Sequence, residues 1–251
     1  MHLAATRSSD KERIMRRSLH PTIAAALFVA HGACSPSQQA TPTVAEHMKD
    51  HFTQALQVRD ALIRGDLAAT KAPATWLADH KVSETLPERW KPHVGDMQNA
   101  ARLVTAANDV AVAADALGAM GTACGGCHTA LGATLQFSGM SPEGKESSVL
   151  DRMLRHAWAA DRMWEGLIGP SDLAWDAGIA ALQEAPLHPD MLADNQSPPQ
   201  AVVDLAAKIH TLGQRGKTTS EPAARARLYG EYLATCAGCH SQLDVQLKPR
   251  Q

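Results

Sequence analysis

Residues 109–131, DVAVAADALGAMGTACGGCHTAL, and residues 221–242, EPAARARLYGEYLATCAGCHSQ, decide how this chain is read. Both are rich in Ala, Leu and Gly and lack the sustained alternation of a strand, so each predicts a helix. Each closes on the same five-residue pattern, Cys124-Gly-Gly-Cys127-His128 in the first and Cys236-Ala-Gly-Cys239-His240 in the second. The remainder agrees with helix: Ala is abundant, β-branched residues are few, and aromatics make up only 4% of the chain, which favours closely approaching helices over sheet. The expected fold class is all-α, and 251 residues suffice for one large domain or two of ordinary size.

The pattern Cys-x-x-Cys-His is an attachment signal for c-type haem, and a second copy strengthens it. Each thiol adds to one vinyl group of the porphyrin, so the two sulfurs must lie about one helical turn apart. The adjacent imidazole then lies under the iron as proximal ligand. On this reading the chain carries two covalent haem c groups, one on Cys124 and Cys127 and one on Cys236 and Cys239, with His128 and His240 as proximal ligands. Rival readings are a four-cysteine zinc site, which leaves both histidines unexplained, a thioredoxin-like redox pair, which wants a strand before its helix, and structural disulfides.

The two motifs end two copies of one unit. Met48-Lys49-Asp50-His51 corresponds to Met153-Leu154-Arg155-His156, Leu62-Ile63 to Leu167-Ile168, Asp66-Leu67-Ala68 to Asp172-Leu173-Ala174, and Gly118 to Gly230. The second copy is longer between its histidine and its motif, and the Pro-rich stretch from Pro186 to Pro199 accounts for the difference as a loop. Each copy reads as four helical segments. In the first these are 45–64, stopped by Gly65; a segment capped by Asp66 and running to about His80; 96–107, after a loop marked by Pro87 and Pro92; and 109–131. In the second they are 148–168, 172–184, 200–213 and 221–242. The segmentation is therefore 1–34 leader, 35–43 flexible linker, 44–132 first haem domain, 133–147 linker, 148–244 second haem domain and 245–251 tail.

Four helices in this order, with Cys-x-x-Cys-His near the end of the last, resemble the class II cytochromes c, the cytochrome c prime group, over 44–132 and again over 148–244. The resemblance implies two tandem antiparallel four-helix bundles, each lodging its haem near one end. It also implies that the first helix supplies the distal face of the iron. Met48 and His51 stand there in one copy and Met153 and His156 in the other, three residues apart on one helix face. His51 and His156 are the favoured sixth ligands, because imidazole binds both ferric and ferrous iron, and Met48 and Met153 are the alternatives. Members of the group often pair, so the expectation is that the two copies pack on each other or that the chain forms a homodimer. His80, His93, His188 and His210 have no counterpart in the other copy and read as surface or loop residues. Trp76, Trp90, Trp158, Trp164 and Trp175 read as ordinary core or rim residues.

The first segment predicts export. Lys11, Arg13, Arg16 and Arg17 precede the short apolar stretch Ile23–Ala30, and Met15 offers a second start of more usual signal length. Two endings compete: a lipoprotein type, with Cys34 as the lipidated residue, and simple cleavage after Gly32. The expected location is periplasmic or otherwise extracytoplasmic, with membrane attachment only through lipid on Cys34. A net charge of −2 with interspersed signs excludes a basic stripe for nucleic acid. The function expected is single-electron transfer between redox protein partners rather than catalysis, with two haems giving a short relay. A gas-binding protein with five-coordinate iron is the alternative, and a haem peroxidase a weaker third.

Overall fold

A computed structural model describes residues 44–81, 86–135, 137, 148–184, 188–192, 197–245 and 247. The predicted leader, with Cys34, the 35–43 linker and most of the 133–147 linker lie outside the described residues. Among those described there are eight α-helices and no strand: α1 (Val44–Ile63), α2 (Lys71–Asp79), α3 (Lys91–Ala106), α4 (Val110–Leu131), α5 (Val149–Ile168), α6 (Asp172–Glu184), α7 (Gln200–Gly216) and α8 (Pro222–Gln242).

Local chemistry sets the helix ends. Gly65 terminates α1 at φ +73°, with Asp66 N–H donating to the Ala61 carbonyl and Gly65 N–H to the Leu62 carbonyl, a Schellman closure. Asp66 caps a short 3₁₀ turn before α2 by accepting from Ala69 N–H at 2.9 Å. Helix α3 begins at Lys91, five residues earlier than the sequence suggests, because Pro92 falls in the first turn, where its missing N–H has no intrahelical role. Part of the Pro-rich insertion is also helical, a 3₁₀ turn at Pro189–Leu192.

Helix α5 opens on a capping box in which Asp151 N–H donates to Ser148 Oγ at 3.1 Å and Asp151 Oδ2 accepts from Ser148 N–H at 3.1 Å. Ser148→Ala is expected to destabilise the fold by about 1 kcal/mol, read as a lowered midpoint in chemical denaturation.

In each repeat consecutive helices pack in sequence order, α1 on α2, α2 on α3 and α3 on α4, then α5 on α6 through to α8, but the fourth helix packs more extensively on the first helix of the other repeat, α4 on α5 and α8 on α1, than on that of its own. The repeats do not stand apart as separate domains. One continuous core runs from Ala55 to Leu233, and its most extensive helix pair, α4 with α8, joins the two repeats. Helix α4 is apolar and long enough to cross a membrane by length and composition alone; here α3 and α8 pack along it and its residues from Ala113 to Gly121 are largely buried.

Glycine makes that seam possible. A Cβ on Gly118 would overlap the Ala226 carbonyl oxygen, and one on Gly230 would lie 2.9 Å from the Ala114 carbonyl oxygen. These two contacts are related by a pseudo-two-fold, and their pairing of 118 with 226 and 114 with 230 makes α4 and α8 antiparallel. They cross near Ala116 and Leu228, so at 1.5 Å per residue His128 and His240 lie on opposite sides of the crossing, about 36 Å apart along the axis.

A buried ion pair adds to the junction. The Arg59 guanidinium on α1, with 1% of its side chain exposed, reaches Asp161 on α5 at 2.7 Å and its neighbour Asp60 at 3.0 Å. Trp164 and Trp175 are fully buried, as expected of core residues, and Trp175 Nε1–H donates to the Gly216 carbonyl at 3.1 Å.

Candidate functional site

Both cysteine motifs occupy the last turns of the seam helices, and all four cysteines are free thiols. Burial pushes Cys124 and Cys236 up to about 12, with Cys127 and Cys239 raised by the same cause. A redox-active pair depends on a lowered thiol pKa, and burial here acts in the opposite direction. A single four-cysteine zinc centre is ruled out by distance, since Cys124 and Cys236 lie about 24 Å apart along the seam axis.

Each motif histidine is oriented by the other repeat. His128 Nδ1 lies 2.6 Å from the carbonyl oxygen of Ile168 at the end of α5, and His240 Nδ1 lies 2.8 Å from that of Ile63 at the end of α1. A carbonyl only accepts, so in both rings Nδ1 carries the hydrogen and Nε2 keeps its lone pair for a metal. The approach is close: a Cβ on Gly125, between the two cysteines of the first motif, would overlap the Leu167 carbonyl oxygen. At the pseudo-equivalent contact Gly65 faces Ala237. Schellman closures finish both helices one turn later, with Gly132 at φ +63° after α4 and Asp244 at φ +50° after α8.

The proposed distal residues differ between repeats. His156 on α5 is buried, and Tyr232 on α8 donates its hydroxyl to the His156 carbonyl at 2.8 Å. Tyr232 stands one turn before Cys236 on α8, which ties the α5 histidine to the second motif of the same repeat. His51 on α1 is half-buried, and its Nε2 is shielded from solvent with no hydrogen-bond partner among the described residues. Burial first, then the neighbouring His47 and His80, push its pKa down to about 4, so the ring is a neutral base at ordinary pH. Met48 is exposed and Met153 half-buried.

His80 and His93, read from the sequence as surface or loop residues, are half-buried and have neighbours on other helices. His80, at the end of α2, places Nε2 3.3 Å from His47 Nδ1, and its ring centroid is 5.0 Å from that of His51. His93, in the first turn of α3, lies beside the first motif, with Nδ1 3.3 Å from where a Gly126 Cβ would stand; in the second repeat Leu205 holds the matching place by Gly238. Sequence reading passed over His47, although its i, i+4 spacing to His51 was a usable signal. The carbonyls of Ile63 and Ile168 left no signal, because any residue supplies one.

Comparison of the chain with family models, with curated proteins and with solved structures gives no match.

Proposed function

We propose that this chain is an exported cytochrome c holding two covalent haems, on Cys124 and Cys127 and on Cys236 and Cys239, and that it transfers single electrons. The observation that carries the reading is the paired arrangement at His128 and His240. In each, the imidazole that follows the two cysteines turns Nδ1 to a fixed backbone carbonyl and keeps Nε2 available, as a metal-ligating histidine does when its other ring nitrogen is held by a hydrogen bond. The donor set fits haem: two unpaired thiols about one turn apart, a pre-oriented imidazole, and in the first repeat a shielded, unpartnered His51 Nε2. When bound, haem supplies a one-electron couple whose potential is set by axial ligands and burial.

The residues of this chain would orient the proximal rings across the repeat boundary, shield the cofactors with α1 and α5, and close the distal faces with His51 and His156, or with Met48 and Met153. The resemblance to class II cytochromes c, read as two four-helix bundles fused along α4 and α8, agrees with this assignment. A seam that sets His128 and His240 about 36 Å apart along its axis favours two stations that exchange electrons with partners separately, rather than a short relay.

Gas binding keeps one specific support: in the first repeat His51 is gathered with His47 and His80, an arrangement that would leave the first iron open. Protein made with a cytochrome c maturation system should show two haem additions by mass after denaturation and a six-coordinate low-spin ferric spectrum. One addition or none refutes the cofactor assignment. A high-spin spectrum with rapid CO binding at both ferrous haems transfers the function to gas binding.

A further inference from the structure

We propose that His47, His51 and His80 bind one divalent transition-metal ion of the Zn²⁺ type, at a site belonging to the first repeat alone. His47 and His51 are one turn apart on α1, and His80 comes from the end of α2, so two helices contribute. One ring nitrogen from each of the three lies within 4.8 Å of the others. Tetrahedral zinc with Zn–N bonds near 2.1 Å holds its ligand nitrogens about 3.4 Å apart. The His47 Nδ1–His80 Nε2 pair already stands at 3.3 Å, so only modest rotation of His51 completes the set.

Trp76 forms a wall to this pocket, its ring centroid 4.2 Å from that of His80 and 5.4 Å, edge-on, from that of His51. The wall restricts ring motion and keeps water from one side. Three imidazole ligands suit zinc, copper or nickel rather than magnesium or calcium, and they leave a fourth position for water or an anion. The second repeat lacks the set: by the alignment of Met48 with Met153, Arg152 stands where His47 would be.

The site is independent of the cofactor assignment except at His51, which cannot ligate an ion and a haem iron together. The test uses the haem-loaded protein freed of metal by chelator, then equilibrium dialysis with Zn²⁺. One zinc per chain is expected, with zinc X-ray absorption reporting three imidazole ligands. The loss of a ligand should cost more than the about 10–100-fold that loss of an outer-shell partner costs, so His47→Ala and His80→Ala should each weaken binding at least a hundredfold. His210→Ala, in the second repeat, should leave it unchanged. No bound zinc, retention by the His47→Ala/His80→Ala double variant, or an absorption spectrum without imidazole ligands overturns the site.

The haem count and spin state of the same samples report on the other reading separately. Conversion of one haem from low to high spin as zinc binds supports both the site and His51 ligation. Zinc binding with no change at either haem supports the site and removes His51 from the iron.

Discussion

Gly118→Val is expected to unfold the chain at much lower denaturant than wild type, and to do so in both repeats at once. The Cβ would overlap the carbonyl oxygen of Ala226, which belongs to the backbone of a helix and cannot swing aside as a side-chain tip would. Relief requires α4 and α8 to separate along the most extensive junction in the molecule. Overpacking of a core costs about 1–3 kcal/mol where side chains can adjust. With backbone as the obstacle, a loss above about 3 kcal/mol is expected, only partly offset by the better helix propensity of valine. Such a loss is a large part of the 5–15 kcal/mol that typically holds a domain folded. Gly230→Ala, whose new atom would stand 2.9 Å from the Ala114 carbonyl oxygen, should cost less. Urea unfolding followed by circular dichroism should give one transition in both variants, because one core spans the two repeats. A wild-type midpoint for Gly118→Val would show that α4 and α8 do not meet as described.

The second large effect concerns cofactor content. On the two-haem reading proposed above, the double variant Cys124→Ser/Cys127→Ser should carry one covalent haem instead of two, and Cys236→Ser/Cys239→Ser should carry the other one. The thiols of the two motifs are too far apart along the seam for either pair to substitute for the other. Serine cannot form the thioether link, so the affected repeat keeps only its histidine, from which haem is lost on denaturation. Mass spectrometry and the haem absorbance of purified protein provide the reading, with each variant at about half the wild-type absorbance per chain. Two haems retained in either variant would exclude that pair of cysteines as the attachment point.

Much of this was legible in the sequence. Helical composition gave the class, the recurrence of Met-x-x-His and of Gly118 at Gly230 exposed the duplication, and Gly65 marked the end of α1. What the sequence did not reveal was how the copies are arranged. A repeat with its own motif reads as its own domain, whereas the glycines of α4 face the other repeat, Gly118 against α8 and Gly121 and Gly125 against the end of α5. The asymmetry of the sites was also hidden. His80 and His93 look like isolated surface residues along the chain, and only the approach of α2 to α1 and of α3 to α4 gives them neighbours. The carbonyls of Ile63 and Ile168 carry no residue-specific mark at all, and their role is visible only from the backbone path.

Those two carbonyls bear on how the molecule is made. The ring of His128 takes its orientation from Ile168, which emerges from the ribosome after the whole first repeat. During synthesis the first motif is therefore presented while its setting is still unfinished, with its imidazole not yet held by that carbonyl. The final residue needed by the early motif arrives with the end of α5, whereas the late motif, at His240, meets a carbonyl already waiting at Ile63. The order of synthesis thus gives the first motif a window of access that the second does not share.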